Sequence, residues 1–510
     1  MSDDISGWIE THAGFTPDKV AFEHARGEVT YAEFAGQART YARMLKHRLG
    51  VGRGDRIAYL GPNTAEYLFL FFAAARLGAM FLPLNWRLAA GEHAYILRDS
   101  GAKAVFCDDE YLDHAEGFRI DFPDTAFVDC RGAASRFGWR RLDEELSLAE
   151  GDDHNPHVGA DAPFLLVYTS GTTGRPKGAV LTQEAIHYNA LNCIHAADIR
   201  SDDRILVSIP LFHVGGLNIM LTPGLYCGAS IVLHERFDPG DALRSIEDDR
   251  ITLMIAVPAV MQAMRGHPGW ESADLSSLRQ MTTGSTIVPV AMIQPFLDRG
   301  MAVCQLYGTT ETAPGAIYQL AADGYRKPGS IGKPALHCEA RIVGEDGADV
   351  TPGESGEILI KGKSILYEYW GNEEATREAI RDGWFHTGDV GYRDEDGDYW
   401  VNDRLKDVII SGGENIYPAE VEQVLYDMDE VEDASVVGRP DEKWGEVPVA
   451  VIALRDGAAL DKETVAGRFD GVLARFKHPK DVVFVDEFPR NAMGKILKYE
   501  LRGLVADGPP

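Results

Sequence analysis

The feature that most constrains this chain is the run Phe164-Leu165-Leu166-Val167-Tyr168, which empties into Thr169-Ser170-Gly171-Thr172-Thr173-Gly174-Arg175-Pro176-Lys177-Gly178. A short, continuous apolar run is the pattern of a strand buried inside a layered fold. From Ser170 to Gly178 the loop holds three glycines, three small hydroxyl residues and one lysine. Glycines let the backbone turn so that N–H groups converge on an anion. Ser170, Thr172 and Thr173 add hydroxyl donors and Lys177 adds positive charge, a set suited to the β- and γ-phosphates of a nucleotide. A Walker loop needs glycine before the lysine and Ser or Thr after it. Here Pro176 precedes and Gly178 follows, which disfavours P-loop kinase or GTPase chemistry.

Around this loop the chain alternates helical and extended patterns. Tyr31 to Leu49 has apolar residues at helical spacing, Arg56 to Leu60 reads as a strand, Ala65 to Leu77 as a helix, and Ala104 to Cys107 as a strand. Further strands are expected at Ile205–Ile209, Ser230–Leu233 and Leu253–Val257. This alternation predicts α/β layers. After about residue 330, short extended pieces (Ala340–Val343, Glu357–Ile360) separated by Gly-rich turns predict a smaller β-rich piece, a distorted barrel. A last unit begins near 403. Pro418 suits a first helical turn, and Val421, Val424, Leu425 and Met428 follow on one face. Strands are expected at Ala434–Val437 and Val449–Ala453, and a helix near 461–475.

The formal net charge is −29, which argues against nucleic acid as the main partner because phosphate backbones need basic surface. No apolar run reaches the roughly 18–20 residues of a membrane span. The longest, Tyr67 to Leu84, is interrupted by Arg76, Gly78 and Pro83 and reads as a buried helix and turn. The acidic start Met-Ser-Asp-Asp lacks the basic and apolar regions of a secretory signal. The six cysteines show no metal-ligand spacing and read as free thiols. A cytoplasmic location is the expectation.

The loop resembles the phosphate loop of the adenylate-forming superfamily, which includes acyl-CoA synthetases, luciferases and the adenylation domains of peptide synthetases. The resemblance extends over essentially the whole chain, with bacterial fatty-acyl-CoA and aryl-CoA ligases nearest. It implies an α/β fold: a large N-terminal body over 1–402, a hinge at 403–406 and a small mobile α+β C-terminal domain over 407–510. It also implies ATP, Mg²⁺ and coenzyme A as cofactor and co-substrates, and it leaves a homodimer open.

Tyr307-Gly308-Thr309-Thr310-Glu311 resembles the adenylation motif. Tyr307 would lie against adenine, Thr310 would contact the α-phosphate, and Glu311 would hold Mg²⁺, which takes few carboxylates. Gly284, Ser285, Gly308 and Thr309 belong to the same implied nucleotide site, with Thr169 and Gly171, Thr172, Thr173 and Gly174 of the loop. Asp389 in Thr387-Gly388-Asp389 would bind both ribose hydroxyls, since a carboxylate accepts two hydrogen bonds at once. Arg404 would contact ribose or phosphate, and Lys406 would be the hinge residue. Asp403 departs from the glycine often found before that arginine. Lys495, in Pro489-Arg490-Asn491-Ala492-Met493-Gly494-Lys495, would be the catalytic lysine.

For CoA, the Ser411-Gly412-Gly413-Glu414 hairpin would line the pantetheine channel. Trp444, Arg475, Phe476 and Lys477 would form an aromatic and basic surface for its nucleotide, although a core tryptophan fits Trp444 equally well. His213, in Pro210-Leu211-Phe212-His213-Val214-Gly215-Gly216, would sit beside the acid and gate access to it. Val214, Gly215, Thr283, Gly284, Ser285, Gly308 and Ala313 would line a roomy pocket that offers no charge to a second carboxylate or an amine. A medium- or long-chain fatty acid is the first expectation. An aryl acid of cinnamate or benzoate type is the alternative, followed by an adenylating enzyme with an acceptor other than CoA.

Overall fold

The structure is a computed structural model that describes residues 4–132, 137–169, 176–284, 288–411, 414–441, 443–470, 472–490 and 496–506. Expectations for Ser170, Gly171, Thr172, Thr173, Gly174, Ser285, Gly412, Gly413 and Lys495 therefore lie outside the described residues, as does the side chain of Lys406.

Two large sheets form the body. Among the described residues one has nine strands, in the order Lys333–Pro334, Ile317–Tyr318, Ala302–Tyr307, Gln280–Gly284, Leu253–Ile255, Arg204–Val207, Ser230–Leu233, Val20–His24, Gly27–Thr30. From Ala302–Tyr307 to Val20–His24 every pairing is parallel. The other sheet has eight strands and runs from Glu368–Tyr369 through Lys177–Thr182, Pro163–Thr169, Met80–Leu84, Arg56–Leu60, Ala104–Cys107 and Ala126–Asp129 to Arg140–Arg141. Strands buried on both faces read as unbroken apolar runs, as Pro163–Thr169 does with four of its seven residues buried.

The helix Ala65–Leu77 shows what the body is built around. Thr64 caps its N-terminus by accepting from Tyr67 N, and Gly78 closes it at φ +70°. Every residue except Arg76 is buried, the pattern of a helix apolar all round and enclosed by other layers. Phe71 packs edge-on against Phe164 with centroids 4.7 Å apart. The apolar run Tyr67 to Leu84 is thus a buried helix and turn, and it continues into the strand Met80–Leu84.

Sequence and structure differ at some boundaries. Tyr31–Arg43 is α-helical, and the expected remainder continues as a π-helical turn over Met44–Arg48. Ile209 and Val257 lie past the strands Arg204–Val207 and Leu253–Ile255. The helix expected near 461–475 is only Lys462–Gly467, with one further turn at Arg475–Lys477. Gly467 is an interior glycine for the longer helix and weakens it by about 1 kcal/mol relative to alanine.

The β-rich piece is an antiparallel sheet of five strands: Cys338–Val343, Gly356–Gly362, Trp384–Arg393, Ile380–Arg381 and Tyr399–Arg404. The last sheet pairs Glu414–Ile416, Ile409–Ser411, Gly445–Leu454, Val431–Asp441 and Asp481–Val485. It has its own core, in which Ile409, Val421, Leu425, Ile452 and Phe469 pack together. The helix under it, Pro418–Tyr426, places Val421, Val424 and Leu425 inward as expected, and Met428 lies just past its end.

Candidate active site

The strands Gln280–Gly284 and Ala302–Tyr307 are parallel neighbours, with Gly284 opposite Leu306. Their carboxyl ends carry Gly284 and Tyr307 of the expected nucleotide residues, and in open α/β sheets ligands bind at those ends. The chain then turns sharply through Gly308 and Thr309 into one 3₁₀ turn, Thr310–Thr312. Thr309 N donates to Thr312 Oγ1 at 2.9 Å. Ala313 follows at φ +71°, and the Ala313–Pro314 peptide is cis. A Cβ on Gly308 would lie 1.6 Å from Pro314 O, so no other residue fits there. A Cβ on Gly284 would lie 2.3 Å from Leu306 O. Thr309 Oγ1 is enclosed and has no hydrogen-bond partner among the described residues, so it is a donor open to a ligand.

Asp389 lies on the strand Trp384–Arg393, with Thr387 Oγ1 accepting from its N–H at 3.0 Å. It is 5% exposed. Tyr307 Oη donates to Asp389 Oδ2 at 2.7 Å, and Arg404 Nε lies 2.6 Å from Asp389 Oδ1. The fold thus gathers three expected nucleotide residues from three separate motifs. Burial, reinforced by the Asp389 charge, pushes the Tyr307 phenol well above its ordinary range, so Tyr307 remains a donor.

Glu311 leads to a residue that the sequence reading missed. Tyr369 Oη donates to Glu311 Oε1 at 2.8 Å, from 58 residues along the chain. Burial, then the Glu311 charge, pushes the Tyr369 phenol far up, so it keeps its proton. The Lys177 ammonium lies 5.5 Å from the Tyr369 ring centroid, within cation–π range. Tyr369 reaches this place because Glu368–Tyr369 pairs antiparallel with Lys177–Thr182, bringing Tyr369 opposite Ala179. One aromatic side chain therefore links the expected metal carboxylate to the expected phosphate lysine. Its only sequence signal is a cluster of aromatic residues ahead of Asn372, which caps the next helix.

On the acid side, His213 opens the short helical segment Val214–Gly216. Its Nε2 is enclosed with no hydrogen-bond partner among the described residues. Its ring packs on Phe212 with centroids 4.5 Å apart, and Phe212 packs on Trp86. Burial, then the nearby Arg87 charge, pushes the imidazole down to about 3. It is neutral near pH 7, so its ring nitrogens can hydrogen-bond but carry no charge. Gly215 and Gly216 differ in kind. A Cβ on Gly216 would lie 2.3 Å from Pro210 O, whereas on Gly215 it would meet only Ile219 Cδ1 at 3.9 Å. The close approach of Pro210 requires glycine at 216, while at 215 a Cβ would make only an ordinary contact.

Asn189, also missed, joins the two walls: its Nδ2 donates to Asn218 O and its Oδ1 accepts from Gly315 N, each at 2.7 Å. The helical segment after His213 and the segment after Ala313 are thereby held side by side. Thr283 is buried with its hydroxyl 3.5 Å from Met261 Sδ. Val214 and Ala313 are buried.

The expected CoA surface lies in the last unit. Trp444 is 44% exposed, so the core alternative for it does not hold, and Lys443 lies over its ring at 4.7 Å. Ser411 is paired with both Glu414 and Gly445, which brings Trp444 near the strands Ile409–Ser411 and Glu414–Ile416. Lys477 lies 2.5 Å from Glu420 in an ion pair, and Phe476 is exposed. At the expected hinge, Lys498 Nζ lies 3.0 Å from Glu422 and 3.4 Å from Asp403.

A family model described as AMP-binding enzyme matches residues 9–370, and one described as AMP-binding enzyme C-terminal domain matches 420–495. The chain belongs to the AMP-binding enzyme family. Curated relatives cover it almost end to end. Indoleacetate–CoA ligase of Aromatoleum aromaticum is 47% identical over 99% of this chain and 98% of its own. A feruloyl-CoA synthase of Amycolatopsis is 43% identical over 98% of each, and a long-chain fatty acid–CoA ligase of Mycobacterium tuberculosis is 38% identical over 97% of each. ATP-bound MatB from Rhodopseudomonas palustris superposes at TM-score 0.91 with 31% identity, covering 99% of both chains. o-Succinylbenzoate-CoA synthetase from Bacillus subtilis, solved with its acyl-adenylate, superposes at 0.87 with 32% identity over 97% of both. The chain is an acyl-CoA synthetase of the adenylate-forming superfamily, with the α/β fold expected for it. No helix of the described residues is long and apolar enough to cross a membrane.

Proposed function

We propose that this enzyme converts an aryl or arylalkyl carboxylic acid to its CoA thioester through an acyl-adenylate. The observation that carries the choice of acid is the order of full-length relatives: indoleacetate and feruloyl ligases at 47% and 43% identity, ahead of a fatty-acid ligase at 38%. This favours the aryl alternative over the fatty acid that the sequence reading placed first. The aromatic contact of Phe212 with Trp86, beside His213, is compatible with it.

In the first step a carboxylate oxygen attacks the α-phosphorus of ATP and the bond to pyrophosphate breaks. In the second the CoA thiolate attacks the acyl carbonyl carbon and the bond to AMP breaks. Asp389, held between Tyr307 and Arg404, would receive the ribose hydroxyls. The 170–178 loop, Thr309, Thr310 and Lys495 would meet the phosphates, where positive charge and donors stabilise charge building on oxygen. Glu311 fits Mg²⁺, because it is a hard oxygen donor oriented by Tyr369, and an ionised carboxylate has roughly four acceptor positions. Bound there, Mg²⁺ would neutralise phosphate charge.

The domain scheme belongs to this proposal. Residues 1–402 form the body, 403–406 the hinge with Lys406 as pivot, and 407–510 the mobile domain. That domain presents Lys495 for the first step and the 411–417 hairpin with Trp444, Arg475 and Lys477 for the second. The test is pyrophosphate release from ATP across indoleacetate, hydroxycinnamates, benzoates and fatty acids, each with and without CoA. CoA-dependent turnover with kcat/KM at least tenfold higher for an aryl acid is the expected result. A preference for fatty acids would overturn the choice of acid, and release that stops after one turnover with CoA present would point to another acceptor.

A further inference from the structure

The strands Pro163–Thr169 and Lys177–Thr182, which flank the loop in sequence, pair antiparallel, with Tyr168 opposite Gly178 and Thr169 opposite Lys177. A phosphate loop works only if both stems are fixed, since its donors must already point at the anion when the nucleotide arrives. Both stems lead to one residue, Asp99, near the end of the helix Ala90–Ser100. The Tyr168 hydroxyl donates to Asp99 Oδ2 at 2.5 Å, 69 residues away. The Trp370 indole Nε1 donates to Asp99 O at 3.1 Å, 271 residues away. Trp370 in turn holds the second stem, its backbone N–H donating to Gly178 O at 2.7 Å.

The contacts close on themselves. A Cβ on Gly178 would lie 2.7 Å from Leu166 Cδ1, 3.1 Å from Tyr168 Cζ and 3.3 Å from Trp370 Cβ, so both aromatic side chains flank that glycine. The Arg56 guanidinium lies 5.2 Å from the Trp370 ring centroid and donates to Ser100 O and Gly101 O at the end of the same helix. Tyr95, one helical turn before Asp99, places its hydroxyl 3.4 Å from Pro176 O, just before the second strand.

We propose that Asp99 is a positioning residue for ATP. Its carboxylate fixes the first stem of the phosphate loop through Tyr168, and its carbonyl fixes the second through Trp370. Asp99 touches no substrate and acts through the loop. The proposal rests on the reading that this loop holds the β- and γ-phosphates.

The loop meets the pyrophosphate part of ATP, and AMP has no such part. A defect in loop positioning therefore weakens ATP and spares AMP, whereas a general loss of structure weakens both. The test is calorimetric affinity of the full chain for α,β-methylene-ATP with Mg²⁺ and, separately, for AMP, in wild type, Asp99→Ala, Tyr168→Phe and the double variant. Each single variant is expected to weaken the ATP analogue about fivefold, in the range of one partly exposed charge-assisted hydrogen bond, and to change AMP less than twofold. The double variant is expected to match the singles, because both remove the same bond. Asp99→Asn keeps an acceptor oxygen and is expected to recover most of the affinity. Equal losses for ATP analogue and AMP, no loss for either, or additive losses in the double variant would overturn the proposal. Wild type that binds AMP but not the ATP analogue would bring down the loop reading, and the role of Asp99 with it.

Discussion

Asp389 is 5% exposed and has Tyr307 on one oxygen and Arg404 on the other, whereas Trp444 is 44% exposed and carries a lysine over its ring. The first residue sits on a strand tied to the carboxyl end of the parallel strand Ala302–Tyr307 by the hydrogen bond from Tyr307. The second sits on a hairpin turn of a sheet with a separate core. In the proposed cycle the nucleotide stays in place through both steps, while CoA arrives only for the second. A site used throughout gains from being rigid and internally paired. A surface used once has to be accessible when its ligand comes, and exposed loops around a rigid body serve that purpose.

The largest expected break in this contrast is Lys495→Ala. If the C-terminal domain serves the two steps with different surfaces, adenylate formation falls about 10²- to 10³-fold, the range for loss of one preorganised electrostatic donor. Thioester formation from supplied acyl-adenylate changes less than threefold. Rapid-quench assays of each half-reaction decide it, and equal losses in both would remove the division of labour.

Asp389→Ala tests the rigid side. It leaves the Arg404 charge and the Tyr307 hydroxyl without their shared acceptor, so unfolding free energy in urea falls by about 2–3 kcal/mol and KM for ATP rises at least tenfold. A variant of normal stability would mean that Asp389 serves the ligand alone.

His213 supplies a pH test within the same body. Its folded value, about 3, lies below the ordinary imidazole range. The unfolded chain therefore binds the extra proton as pH drops below about 6.5, and stability is lost on acidification from there toward pH 3. The slope from this group is at most about 1.4 kcal/mol per pH unit. His213→Gln should flatten the pH dependence of the urea midpoint in that window, and should leave the pH–rate profile between about 6.5 and 8 unchanged in shape. A kinetic pKa near neutrality that vanishes in the variant would contradict a buried neutral ring.

Trp444→Ala is the smallest effect. KM for CoA is expected to rise about fivefold, the worth of one aromatic stacking contact, with pyrophosphate exchange unaltered. A stability loss above about 2 kcal/mol would restore the core reading that its exposure opposes.

The motifs that carried the sequence reading were local, and the structure places several of them together. Tyr307, Asp389 and Arg404 come from three motifs and meet within hydrogen-bond distance. Tyr369, Asn189 and Asp99 were not legible. Each acts through contacts with two residues far away in the chain, and Tyr, Asn and Asp in such settings are ordinary strand, helix or surface residues. The apolar run Tyr67 to Leu84 was read as buried, yet its strand half emerged only with its neighbours, because strand pairing is a property of the partners. The helix expected near 461–475 ends at Gly467, where an interior glycine weakens the longer helix.

By itself the sequence determined which residue types stand in which short patterns: a glycine- and hydroxyl-rich loop, the carboxylates Glu311 and Asp389 within their motifs, and an acyl-CoA synthetase order of motifs. These depend on residue type and short spacing, which the chain states directly. The tertiary structure alone decided which groups share a partner. It set Tyr369 on Glu311, neutralised His213 by burial, left room for a Cβ at Gly215 but none at Gly216, and led both stems of the phosphate loop to Asp99. Those outcomes are set by distance and burial between segments remote in sequence, which no local pattern encodes.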